Sequence, residues 1–209
     1  MRIMPLSGAA LAAAALLATA ARPQADAPDS LRPPAAFADI ADRAARSRAI
    51  FTEAAKVFTS PRCMNCHPAG NHPSQGDDNH PHDPPVARGP ADAGIAGTPC
   101  AACHMDRTVD LFPGAAARYA SIPGRPGWRL APIEMAWQGK TAAEICRQLK
   151  DTSRNGGRDL AMLHEHVAQD QLFVAYAWNP GKGRKPAPGT QALAGALIQA
   201  WIDSGAECP

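Results

Sequence analysis

Apolar positions along this chain gather into a few helical stripes separated by long polar stretches, a pattern that predicts a mostly α, loop-rich domain with few or no strands. Phe37, Ile40, Ala44, Phe51, Ala54 and Phe58 recur at three- and four-residue steps, which predicts one helix over about 36–58, stopped by Ser60-Pro61. From 68 to 98 apolar residues almost vanish, and Pro, Gly, Asp and His dominate. So long a loop within a domain is usually functional or disordered. A second loop is expected over 113–132. Thr141-Ala142-Ala143-Glu144 has the form of a capping box and opens a helix over about 142–151. Leu160, Leu163 and Val167 share one face of a further helix over about 159–171. A loop over 179–189 precedes Thr190, which caps a last helix reaching about Asp203, with Gly205 as its stop signal.

The N-terminus breaks this pattern. Met1-Arg2 is followed by an Ala/Leu run to Ala21, and Ala18-Thr19-Ala20 supplies small residues where a signal peptidase reads. Residues 1–20 therefore read as a cleaved secretory signal, cut after Ala20 or Ala21, with an uncleaved lipid-bound helix as the alternative. A Pro-rich mobile lead-in over 21–35 and one domain over 36–209 would follow. No later stretch is apolar enough to cross a membrane, so a periplasmic or otherwise exported chain without a transmembrane anchor is expected.

Composition adds a constraint. Aromatic residues make up 5% of the chain, and 21 prolines and 17 glycines limit regular structure. A domain so poor in aromatic side chains needs apolar bulk from elsewhere, which a cofactor could supply. The formal net charge of +2 comes without basic runs or aromatic interleaving, which argues against nucleic acid as a partner.

The six cysteines fall into three pairs. Cys63-Met64-Asn65-Cys66-His67 and Cys100-Ala101-Ala102-Cys103-His104 both spell C-x-x-C-H, the attachment signature of haem c. Two thiols three residues apart on a helical turn can each add to one haem vinyl group. The adjoining His67 or His104 then reaches the iron from the proximal side. With this composition, on the order of 0.006 matches would arise by chance. The residues therefore predict two haem c groups, each with its iron, in a c-type cytochrome domain. Zinc held by paired C-x-x-C motifs, or two structural disulfides, are the rival uses of these thiols. Cys146 and Cys208 remain and are expected to pair in an oxidising compartment. Closing that loop of about 60 residues would contribute roughly 4 kcal/mol. Two separate buried thiols are the alternative.

The distal ligands are less determined. His72, His80 and His82 lie in the polar loop between the motifs, and Pro81, Pro84 and Pro85 stiffen the chain around His82. His82 is the first candidate, then His80, then His72. His164 and His166 flank the apolar stripe of their helix on opposite sides, and periodicity does not choose between them. Met135 is a thioether alternative. Met162 reads as packing, and Met105 cannot reach the far face of its own haem. Arg88, Lys182, Arg184 and Lys185 could neutralise haem propionates or form a docking edge, or could be ordinary solvated charges.

The strings QGDDNHPHDPPVARG, GWRLAPIEMAW, GKTAAEICRQLKD, RNGGRDL, PAPGTQ and the ending GAECP resemble small exported proteins catalogued as isoquinoline 1-oxidoreductase subunits, over about 61–209. That resemblance implies a redox partner of the molybdenum hydroxylase type. The chain carries no molybdopterin or iron–sulfur motif of its own. It also implies a retained histidine at the position of His166, favouring His166 over His164. A dihaem electron-transfer protein is the expected function. A peroxidase-like haem enzyme or sensor with one open iron, drawing on Glu134, Glu165 or Asp170, is the alternative. A third possibility is a subunit whose haems are structural anchors inside a larger complex.

Overall fold

The structure is a computed structural model describing residues 29–112, 114, 116 and 120–209. The expected signal segment and residues 21–28 of the lead-in lie outside the described residues, as does part of the expected loop over 113–132. Five α-helices are described: α1 (Arg43–Phe58), α2 (Pro61–Met64), α3 (Ala142–Leu149), α4 (Leu160–Gln169) and α5 (Gln191–Asp203). Short 3-10 turns add to them at Pro34–Phe37, Cys100–Ala102, Ile133–Met135 and Ala175–Trp178. The fold is mostly helical, with a few short antiparallel strand pairs. No helix among the described residues is long and apolar enough to cross a membrane.

The helix expected over 36–58 is two pieces. Pro34 starts a single 3-10 turn, and Asp42 restarts the chain by accepting a hydrogen bond from Ala45 N at 2.6 Å. A short acidic side chain at that point caps better than it continues a helix. Phe37 nevertheless reaches the core. The later helices end close to their expected limits. Thr141 and Glu144 make both bonds of the capping box, and α3 stops at Leu149. Asp159 caps α4 through Met162 N, and Thr190 caps α5 through Leu193 N. Asp170 ends α4 by turning its Oδ1 to Leu172, Phe173 and Val174 N–H groups.

Helices α1, α3, α4 and α5 enclose one core containing Phe51, Ile145, Leu197, Ile198 and Trp201. At the crossing of α4 and α5, a Cβ on Gly195 would lie 2.5 Å from Ala168 Cβ, so only glycine allows that approach. Cys146 of α3 and Cys208 form a disulfide with Cα atoms 5.6 Å apart. The tail it fastens is also held by Trp201 Nε1, which donates to Glu207 O at 2.9 Å, and by Glu207 N, which donates to Ser47 Oγ at 2.9 Å.

Outside this core the polar stretches carry three two-residue ladders: β1 (Ser74–Gln75) with β2 (His80–Pro81), β3 (Gly94–Ile95) with β4 (Thr98–Pro99), and β5 (Val109–Asp110) with β6 (Ser121–Ile122). Two residues are too few to show an alternating pattern, so nothing in the sequence marked them. They pin irregular chain into fixed turns.

Glu53 tests the helical layer. It is buried at 2% exposure, with Arg32 Nε at 3.1 Å and Lys56 Nζ at 2.7 Å from its carboxylate. Burial alone would raise its pKa, but the hydrogen bonds from Lys56 and Arg32 prevail and lower it below 4.5. A depressed carboxylate stabilises the fold above its unfolded pKa, and that contribution disappears as pH falls through the lower folded value. Glu53→Gln should cost about 1–2 kcal/mol at pH 7. The difference from the wild-type chain should shrink below pH 4.5, as followed by denaturant unfolding across pH 3–7.

Candidate functional site

Each C-x-x-C-H segment forms a tight turn that brings its histidine back over its first cysteine. His67 N donates to Cys63 O at 3.1 Å, and His104 N donates to Cys100 O at 2.9 Å. The first turn grows from α2, whose Pro61 occupies the first helical position, where a missing N–H costs nothing. The second grows from the 3-10 turn Cys100–Ala102. All four motif cysteines are unbridged.

The two histidines are held in the same way. His67 Nδ1 donates to Met135 O at 2.6 Å, and His104 Nδ1 donates to Pro123 O at 2.6 Å. A carbonyl only accepts, so the proton must sit on Nδ1 and the Nε2 lone pair is left for another partner. Each imidazole also lies flat against a tryptophan. The His67 and Trp137 ring centres are 3.7 Å apart with planes at 3°, and those of His104 and Trp128 are 4.3 Å apart at 1°. Burial pushes the pKa of both histidines down to about 4, although the carbonyl bonds act to raise it. Both rings are neutral at pH 7 and offer an unprotonated Nε2. That is the state a metal-binding imidazole needs.

The carbonyls come from irregular chain that is itself tied down. Cys66 O accepts from Ala131 N at 3.0 Å, and His67 O accepts from Trp137 N at 3.0 Å and Gln138 N at 3.1 Å. The first motif and the segment over 131–138 are therefore one unit. Buried Arg88 braces it through Ala131 O and through Asp92 at 2.5 Å. At the second motif, Gly124 follows the Pro123 carbonyl, and a Cβ there would lie 2.3 Å from Arg107 O and 2.4 Å from Met105 O.

His67, Cys63 and Cys66 line a cavity of about 400 Å³. Its walls are mainly apolar or aromatic, including Phe58, Leu163, Val167 and Phe173, with Arg62, Arg125, Arg129 and Arg158 at intervals. His166 lines the same cavity and is close enough to His67 to lower its pKa. Asp170 Oδ2 lies 3.2 Å from His166 Nδ1, so the Nε2 of this ring too is available. His166 and Arg158 also line a shallow surface cleft with Glu165 and Asp170.

The second site lies among loops. Cys103 is exposed and Cys100 half-buried. His82 follows β2 and lies across from His104, with ring centres 5.9 Å apart and planes at 63°. Its Nδ1 donates to Pro84 O at 2.8 Å. A metal held between two imidazoles at about 2 Å from each nitrogen separates their ring centres by roughly 6 Å. The two planes are then free to rotate about the axis.

The other candidates are placed differently. His80 has both ring nitrogens engaged, by Asp78 Oδ1 at 2.5 Å and by Gln75 Nε2 at 3.1 Å. His72 is exposed and bonds Val86 O. His164 does not line the cavity. Met135 holds the Nδ1 edge of His67 through its carbonyl and also lines the cavity. Of the basic residues singled out from sequence, Lys182 pairs with Asp110, and Arg184 bonds Ser121 O at 2.7 Å. The cavity arginines 62, 125, 129 and 158 had no such signal, and neither did Trp128 or Trp137.

Among the described residues no group of three or more His, Cys, Asp or Glu side chains converges as a bare metal site. No family model matches the chain, and no curated protein or solved structure matches it.

Gly124→Ala tests the coupling between loop and histidine. Overpacking at this contact should cost about 1–3 kcal/mol of stability. It should also displace the His104 ring signals in an NMR spectrum while those of His67 stay in place. Equal disturbance of both rings would show that Gly124 acts on the whole fold and not on the second site.

Proposed function

We propose that the chain is an exported dihaem c-type cytochrome that relays electrons to or from an oxidoreductase partner. One observation carries the reading: both C-x-x-C-H histidines are neutral, backbone-held and Trp-stacked, with Nε2 unclaimed. Two cysteines of the first motif open onto a cavity of haem-like character, about 400 Å³ and mostly apolar. A porphyrin supplies four nitrogens to its iron, so two facing imidazoles complete the coordination.

In this reading Cys63 and Cys66, with His67 and His166, hold one haem. Cys100 and Cys103, with His104 and His82, hold the other. Haems bound there would supply one-electron exchange between a reduced and an oxidised protein partner. The chain's own part would be to offer His67 with His166, and His104 with His82, to the two irons, which would exclude oxygen and peroxide and keep the ligands fixed. Cys66 and Cys100 are close enough for one thiol to perturb the other. The two motifs therefore adjoin, and haems held by them would form a short relay. The resemblance to isoquinoline 1-oxidoreductase subunits supports a molybdenum hydroxylase-type dehydrogenase as the partner.

A second reading, a haem enzyme with one open iron, is favoured by one feature. His166 and Arg158 stand between the interior cavity and the surface cleft that Glu165 and Asp170 share. A distal histidine and arginine reached from solvent could act on a small oxidant.

Mass spectrometry of the exported protein should show two added porphyrins, and low-temperature EPR should show two low-spin irons. His82→Ala and His166→Ala should each convert one different iron to a high-spin, cyanide-binding form. A high-spin iron in the unmodified protein would select the enzyme reading, and absence of porphyrin mass would remove both.

A further inference from the structure

Between the two motifs lies a half-buried arginine that makes no direct ion pair among the described residues, although the carboxylate of Asp170 acts on it at longer range. Arg125 Nε and Nη1 are buried without a hydrogen-bond partner among the described residues. Its guanidinium carbon sits 4.8 Å from the centre of the Trp128 ring, 5.0 Å from that of Phe173 and 4.9 Å from that of Tyr176. Three ring faces compensate part of the desolvation of a cation without neutralising it. The neighbouring arginines are used differently. Arg62 Nη2 is paired with Asp77 Oδ1 at 2.7 Å, and Arg184 is committed to Ser121.

Arg125 also touches both sites. It lines the cavity beside Cys66 and packs on Trp128, the same ring that backs His104. Its charge is felt at Cys66 on one side and at His104 on the other. The sequence gives no reason to single it out within SIPGRPGWRL, because its position depends on three aromatic residues 3 to 51 positions away.

We propose that Arg125 is a fixed positive charge without a direct ion-pair partner among the described residues, shared by both haem sites, and that it raises the reduction potential of both irons together. This rests on the dihaem reading. Reduction lowers the positive charge at an iron by one, so a cation held nearby disfavours the oxidised state. At roughly 10 Å and an effective dielectric of about 20, one unit charge changes such an equilibrium about tenfold. That factor is about 59 mV for a one-electron couple. Stacking keeps the guanidinium from swinging out to solvent, where salt would screen it.

The test is a spectroelectrochemical titration of the holoprotein and of two variants, each checked for two bound porphyrins by mass. Arg125→Met removes the charge and keeps an apolar side chain among the rings. Arg125→Lys keeps the charge and loses the planar stack. In the Met variant both reduction equilibria should shift about tenfold toward the oxidised form, whereas the Lys variant should stay near the wild type. Equal shifts in the Met and Lys variants would mean that Arg125 acts through stacking alone and would overturn the proposal. A shift confined to one iron, or none, would overturn it as well. Should the Met variant fail to accumulate, Arg125→Gln is read by the same criteria. Wild-type protein without porphyrin would instead defeat the dihaem reading itself, a result distinct from any of these.

Discussion

An N–H···O=C bond behind each C-x-x-C-H histidine is the interaction on which the rest of the site depends. Met135 O fixes the tautomer and ring direction of His67, and Pro123 O does the same for His104. Without that bond a buried imidazole would turn, or carry its proton on either nitrogen, and Nε2 would have no defined direction. The carbonyls belong to irregular chain, so the molecule must hold loops as firmly as helices. It does so with backbone bonds from Cys66 and His67 to the segment over 131–138, with buried Arg88, and with a glycine at 124 where no side chain fits.

The helical layer and the loop layer meet through a row of rings. Trp201 packs on Phe51, Phe51 on Phe58, Phe58 on Trp137, and Trp137 lies flat on His67. A chain with 5% aromatic residues thus spends several of them on one line from the hydrophobic core to a candidate ligand. The disulfide between Cys146 and Cys208 fastens the C-terminal tail at the Trp201 end of that line. Positional order at His67 is then inherited from the helix packing, which changes little with local loop motion.

The two sites are not equivalent. The first is enclosed by α4, the segment over 131–138 and several arginines, while the second sits among short ladders with Cys103 exposed. In the dihaem reading the enclosed site lies in the lower dielectric, and the exposed site is the one a partner can approach closely. In the same reading the charge on Arg125, which lines the first cavity and packs on the ring that backs His104, would act on both sites.

The sequence by itself determined whatever depends on neighbours a few residues apart. Thiol spacing and the adjoining histidine in Cys63–His67 and Cys100–His104 were legible, as were the capping box at Thr141 and the limits of α4 and α5. Pairing of Cys146 with Cys208 followed from elimination, since the other four thiols were already spoken for. The tertiary structure alone decided which carbonyl holds each histidine and which tryptophan backs it, while His82 and His166, already favoured from the sequence, lie near His104 and on the His67 cavity. It also separated the 3-10 turn at Pro34–Phe37 from α1, because the apolar stripe continues across the break at Asp42. The physical reason is range. Caps and covalent motifs act within one or two turns of chain, whereas His67 and Met135 are 68 residues apart and find each other only once the core between them has formed.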